Sequence, residues 1–334
     1  MRVGVLVLLL ALLTLAAPPD GRAEPTQQDL VAQAAFIDRL GALNAGFSRI
    51  EQEASALDAL ADRAFGGRVS AEEARAQADA LVADLRARHA ALAAELATAL
   101  TPPAVSDADI RKANEGAAAT MRAVSTDTLE AIEIGAALVE AAIRRDADFY
   151  RQSSLKALER KRTQLGNHSA ALELQISAVP EETLDYGLVR KLKNEIDAAR
   201  LIIRLQIAAI EGRTPGSDDI AATTFLLDAG RGHLRRARAA YERDARDVAE
   251  QTAPGAPHAA IKKTLEEMLA INEALLDIGV EMLDALEGHL RNFAGGRPDR
   301  AAFDAFILRT NALRDRRQAL YLDRQRKLAE LVTP

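Results

Sequence analysis

The chain has 334 residues, 49% of them hydrophobic and 28% charged, with a formal net charge of −6, no cysteine, no tryptophan and only 4% aromatic residues. The missing cysteines exclude disulfides, thiolate metal sites, c-type haem, a cysteine nucleophile and a lipid-modified cysteine anchor. The mild acidity and the few aromatic rings argue against nucleic acid, whose binders need a basic surface and stacking platforms.

The N-terminus opens with Met1-Arg2 and runs apolar from Val3 to Ala17, followed by Pro18-Pro19-Asp20-Gly21-Arg22-Ala23. A charged start, a short apolar stretch and a small-residue site predict a secretory signal peptide over residues 1–23, cleaved after Ala23. The apolar stretch is short for a membrane span, which needs roughly 20 residues. No later stretch is apolar for longer. Leu201–Ile210 comes nearest and is interrupted by Arg204 and Gln206. The expected location is therefore the periplasm or the exterior, with no transmembrane span after cleavage.

Beyond the signal, proline and glycine punctuate the chain at Gly66-Gly67, Thr101-Pro102-Pro103, Val179-Pro180, Thr214-Pro215-Gly216, Ala253–Pro257 and Gly295–Pro298. Between these breaks seam positions recur every three or four residues and are mostly apolar, as in Ile261, Leu265, Met268, Asn272, Leu275, Gly279, Met282 and Leu286. That spacing predicts amphipathic helices, and no segment alternates as a strand would. Ser70, three residues before Glu73, predicts a capped helix start, as does Ser217 before Asp218 and Asp219.

A short phrase recurs at intervals of about 76 residues: Leu85–Leu92, Leu158–Leu165, Leu234–Tyr241 and Leu313–Leu320, each a leucine, a basic cluster and another large residue one heptad on. Gly-Arg pairs recur too, at Gly67-Arg68, Gly212-Arg213 and Gly296-Arg297. The second copy lacks one, and its turn is expected between Arg145 and Asp148. The period predicts an all-α chain of four long antiparallel helical hairpins, over 27–100, 105–178, 181–252 and 256–332. Two hairpins make a four-helix bundle, so two tandem bundles are expected, residues 24–179 and 180–334, divided at Val179-Pro180. The alternative is one open array of stacked hairpins.

The repeat places a basic residue at or beside each apolar seam: His89, Arg162, Arg238 and Arg317. The opposing helices offer Asn44, Asn114, Asn194 and Asn272, expected to face them across each hairpin. A polar layer of this kind fixes helix register; the same residues would also suit a small-anion site between helices. Glu273, Asp277, Glu281 and Asp284 form an acidic face on the seventh helix, matched by arginines on the eighth, and read as a solvated, charge-complementary surface rather than a metal site. Gly166-Asn167-His168-Ser169 interrupts a periodic helix and is expected to be a kink or a polar contact. The five histidines show neither Glu-x-x-His nor His-Glu-x-x-His spacing, and no nucleophile elbow, phosphate loop or dinucleotide fingerprint is present. No catalytic residue, metal or cofactor is expected. Composition and expected architecture resemble those of exported bacterial helical-bundle proteins, a likeness that assigns no activity. The expected role is a non-enzymatic interaction or scaffold protein of the bacterial envelope, binding a protein partner or a second copy. The alternative is a ligand-binding or sensory bundle holding a small anion.

Overall fold

The computed structural model describes residues 27–99, 108–176, 179–214, 216–254, 258–294 and 300–332. The signal peptide with its cleavage site, the Thr101–Pro103 break and the Gly295–Pro298 break lie outside the described residues. Among the described residues the protein is all-helical and has no strand, as the spacing of its apolar residues requires. The helices are α1 (Gln27–Phe65), α2 (Ala71–Ala99), α3 (Ala108–Arg144), α4 (Ala147–Ile176), α5 (Leu184–Ile210), α6 (Ser217–Gln251), α7 (Lys262–Ala294) and α8 (Arg300–Val332). A single 3-10 turn, Ala259–Ile261, leads into α7. Helices of 27 to 39 residues are about 40–58 Å long at 1.5 Å per residue. None of the helices is long and apolar enough to cross a membrane, among the described residues.

Local chemistry sets the helix ends. Ser70 Oγ accepts the Glu73 N–H at 3.1 Å, which caps α2 as its spacing predicts. Thr183 Oγ1 does the same for Tyr186 at the start of α5, at 3.2 Å. At α6 the capping position is Gly216 rather than Ser217, and Asp218 and Asp219 occupy the first turn.

The two Gly-Arg pairs among the described residues are helix stops of one type. Gly67 and Gly212 take φ of 68° and 75°. The Gly67 N–H donates to Ala64 O (3.1 Å) and the Arg68 N–H to Arg63 O (2.8 Å). At the second site Gly212 donates to Ala209 O (3.2 Å) and Arg213 to Ala208 O (2.8 Å). This crossed pair satisfies carbonyls that a helix end leaves open, and it needs a left-handed residue. The turn between α3 and α4 is the same motif built on Arg145, at φ 54°, with Arg145 donating to Ala142 O (3.1 Å) and Asp146 to Ala141 O (3.2 Å). The motif thus recurs there without its glycine. Because an L-residue is strained in this region, Arg145→Gly is expected to stabilise the protein by about 1 kcal/mol and Gly212→Ala to destabilise it by a similar amount. Nothing lies within 4 Å of a Cβ at residue 212, so the second effect is purely conformational. Denaturant unfolding of the two variants checks both signs.

Close packing divides the chain into two compact units, with the division running through α4 between Lys161 and Arg162. The Val179-Pro180 break separates α4 from α5.

In the first unit α1, α2 and α3 pack on one another. Leu57, Leu60, Val82, Leu85, Ile132 and Val139 fill one half of the core. Phe36, Leu40, Phe47, Leu96 and Met121 fill the other. The first half of α4 joins this unit through long side chains. Tyr150 Oη donates to Asp62 at 2.7 Å and its ring stacks on Phe65, Lys161 lies 3.6 Å from Glu51, and Arg160 reaches Asp127 (3.4 Å) and Glu130 on α3.

In the second unit α5 packs on α6 and α7, α6 on α7, and α7 on α8. The second half of α4 lies along α5. Gly166 faces the Arg200 guanidinium, and Glu173 pairs with Arg190 (3.5 Å) and Lys193 (3.4 Å). The Gly166–Ser169 segment is thus continuous helix, with Gly166 making room for an arginine. Leu188, Val189, Leu192, Ile196, Ile202 and Leu205 make α5 buried around most of its circumference.

Candidate functional site

The eight polar positions of the repeat do not share one environment. Asn44 on α1 is 1% exposed, and neither its amide nitrogen nor its amide oxygen has a hydrogen-bond partner. Burying an unpaired amide costs on the order of 1–3 kcal/mol, so this position works against stability. His89 on α2 does not turn to Asn44. Its Nε2 lies 2.8 Å from Ser125 O and 3.2 Å from Ser125 Oγ on α3, and its ring leans on Phe47. Asn114 is buried on α3 with its Nδ2 unpaired, and Arg162 is half-buried on α4.

The second unit repeats this divergence. Asn194 is half-buried on α5, beside Gly230. Arg238 on α6 is largely solvated and pairs with Asp277 on α7 at 2.9 Å. Asn272 is buried on α7 with an unpaired Oδ1. Only Arg317, on α8, joins a larger buried assembly.

That assembly lies between α5 and α8. Glu195, 1% exposed, accepts from Lys191 Nζ at 2.6 Å and from Arg317 Nη1 at 3.0 and 3.2 Å. Lys191 and Arg317 are themselves only 2% and 6% exposed. Further along the same faces, Arg324 grips both oxygens of Asp185, at 2.6 and 3.2 Å. Tyr321, buried on α8, lies within reach of both pairs. Three of these positions, 317, 321 and 324, recur at helical spacing and so face α5 together.

Burial sets the ionisation of each group against its neighbours. Desolvation pushes the Glu195 carboxyl up, but the charges of Arg317 and Lys191 and their hydrogen bonds outweigh it and hold it down at about 2. Desolvation pulls the Lys191 ammonium below its ordinary value; Glu195 opposes this and Arg317 reinforces it. Burial pushes the Tyr321 hydroxyl up to about 12. The cations Lys191, Arg317 and Arg324 thus face the two carboxylates Glu195 and Asp185. The Nε atoms of Arg317 and Arg324 and the amide nitrogen of Gln318 are buried without acceptors.

Lys191 and Glu195 are functional-site candidates that sequence reasoning misses. Their Lys-x-x-x-Glu spacing is interleaved with Arg190, Lys193, Asn194 and Asp197, so it reads as an ordinary solvated pair and carries no signal of burial.

The acidic face of α7 is divided between two neighbours. Asp277 and Asp284 pair with Arg238 and Arg231 of α6 (2.9 and 3.1 Å), while Glu267 and Glu281 pair with Lys327 and Arg316 of α8 (2.7 and 3.8 Å). Glu273 accepts from Tyr241 of α6 at 3.5 Å. Among the described residues no group of three or more histidine or carboxylate side chains is placed to hold a metal ion.

His289 is a further buried ionisable side chain, on α7. It stacks on Phe306 at 4.1 Å and meets Phe293 edge-on, and burial pulls it down to about 4. An unfolded histidine titrates near 6.5, so the unfolded chain binds the proton first as pH falls. Stability is complete above pH 6.5 and drains away towards pH 4, by about 2.5 kcal/mol between pH 7.5 and 4.5. Urea titrations at those two pH values should show His289→Leu losing that much less than the wild type.

No protein-family model, curated protein or solved structure matches this chain.

Proposed function

We propose that this chain is a non-enzymatic interaction or scaffold protein of the bacterial envelope, exported by its N-terminal signal and built from four diverged copies of one helical hairpin. In this reading α5–α8 close as a four-helix bundle, and α1–α3 with the first half of α4 form its tandem counterpart. The recurring helix stops at Gly67, Arg145 and Gly212 support the repeat. The tie from α8 back to α5 through Arg317 and Glu195 supports the closed second bundle.

One observation carries the functional reading. The basic residues His89, Arg238 and Arg317 each meet a different internal partner, Ser125, Asp277 and Glu195, so the repeat assembles helices rather than a shared pocket. What remains for a protein partner is the outward helix surface. Phe225 on α6 and Leu308 on α8 are each 72% exposed, large apolar groups on otherwise charged helices. A helix or protein surface in the envelope, or a second copy of the chain, would cover such faces.

The test places a photo-crosslinking residue at Phe225 or Leu308 in the full chain expressed in its own host. A discrete adduct, lost when the same helix face also carries an added aspartate, is the expected result. Absence of any discrete adduct at both positions, or a mature chain that is not exported, contradicts the reading. Export is read from the mass of the mature N-terminus, expected to begin at Glu24.

A further inference from the structure

The charged layer between α5 and α8 does not balance. Around Glu195 two cations, Lys191 and Arg317, share one carboxylate, and all three side chains are withdrawn from water. Arg324 and Asp185 form a matched pair beside them, and Asp244 of α6, which acts on Arg324, is solvent-exposed and lies outside the buried layer. A surplus charge held away from water is among the most expensive arrangements a protein interior can contain. A second observation points the same way. Arg317 directs one terminal nitrogen at Glu195, while its buried Nε has no acceptor. The local deficit is thus one negative charge and an acceptor for the Arg317 Nε.

We propose that the layer binds one small monovalent anion, of the halide class, beside Lys191 and Arg317. A single surplus charge selects a monovalent ion over phosphate or sulfate. The burial of Lys191, Glu195, Arg317 and Tyr321 selects a small one, because the site lies between helices rather than in an open cleft.

The site also couples anion and proton. Without the anion the surplus is relieved when Lys191 releases its proton, the form that burial and Arg317 favour. With the anion present Lys191 stays an ammonium and donates to it. Anion and proton therefore bind together, and above the Lys191 midpoint affinity falls about tenfold per pH unit. The charged groups around Lys191 are Glu195 on its own helix and Arg317 across on α8. Tyr321 and Arg324 of α8, Asp185 of α5 and Asp244 of α6 form the next ring.

The test follows thermal unfolding of the full chain as chloride replaces gluconate at constant ionic strength. The wild type is expected to show a saturable rise of about 5 °C at high chloride, which shrinks as pH is raised, with sulfate inactive. Lys191→Met removes the surplus charge and is expected to abolish the chloride response, while Arg231→Ala, in a solvated cluster elsewhere, keeps it. A wild type indifferent to chloride overturns the proposal, as does a response that Lys191→Met leaves intact. Should Lys191→Met fail to fold, the anomalous signal of a bromide-soaked wild-type crystal decides. A peak in contact with Lys191 Nζ upholds the site, and a map without one overturns it.

Discussion

Glu195→Ala is expected to lower the unfolding free energy by about 4 kcal/mol, since removing one partner of a buried ion cluster strands the others. Here two cations are stranded, Lys191 and Arg317, both almost wholly withdrawn from water. The loss should exceed that of Asp277→Ala, whose pair with Arg238 is solvated on both sides, and exposed pairs contribute only about 0–1 kcal/mol. The triple variant Lys191→Met, Glu195→Leu, Arg317→Met removes every charge of the cluster and should recover most of the stability, because an apolar layer of similar volume is often as stable as the ions. The same carboxylate shapes the acid limb. Its folded value of about 2 lies below the ordinary carboxylate range, so its contribution is complete above about pH 4.5 and is lost as pH falls towards 2. Urea titrations of the single and triple variants, at neutral pH and at pH 3, separate these effects.

Gly187→Ala is expected to cost about 3 kcal/mol, at the upper end of what overpacking a core produces. A methyl group at residue 187 of α5 would sit 2.6 Å from Ala237 Cβ, 2.8 Å from His233 O and 3.0 Å from Ala237 Cα of α6. Two of those three atoms are backbone, so no side-chain rotation relieves the clash and the helices must move apart. Gly288→Ala supplies the contrast. It lies within α7 with nothing within 4 Å of its Cβ, and the better helix former should stabilise by about 0.5–1 kcal/mol. Opposite signs for one chemical change, read by thermal unfolding, would show that close approach rather than helix propensity governs residue 187.

Much of this fold is legible in the sequence because it depends on local chemistry. The glycines at 67 and 212 end helices through their own backbone freedom, and Ser70 caps α2 through a bond three residues long. The turn expected between Arg145 and Asp148 falls at Arg145, although an arginine in a left-handed conformation carries no local signature. The polar layer was legible only as burial. The periodicity puts eight polar residues at or beside the seams; Asn44, His89, Asn114, Asn272 and Arg317 are buried, whereas Arg162, Asn194 and Arg238 are only partly so. Their partners depend on how each helix is rotated against its neighbours, which no single helix encodes. His89 accordingly meets Ser125 of α3 rather than Asn44, and Arg317 meets Glu195 rather than Asn272. Lys191 and Glu195 stayed hidden for a related reason. A charged pair one turn apart ordinarily stands in water, and only the placement of α8 seals this one in.

The central claim is that the basic residues of the repeat serve internal partners, with Arg317 and Glu195 the strongest case. A double-mutant cycle between Arg317→Met and Glu195→Leu, followed by urea unfolding of all four proteins, measures it directly. The predicted coupling is about 3 kcal/mol in favour of the intact pair, whereas single effects that add to within about 0.5 kcal/mol would contradict the account.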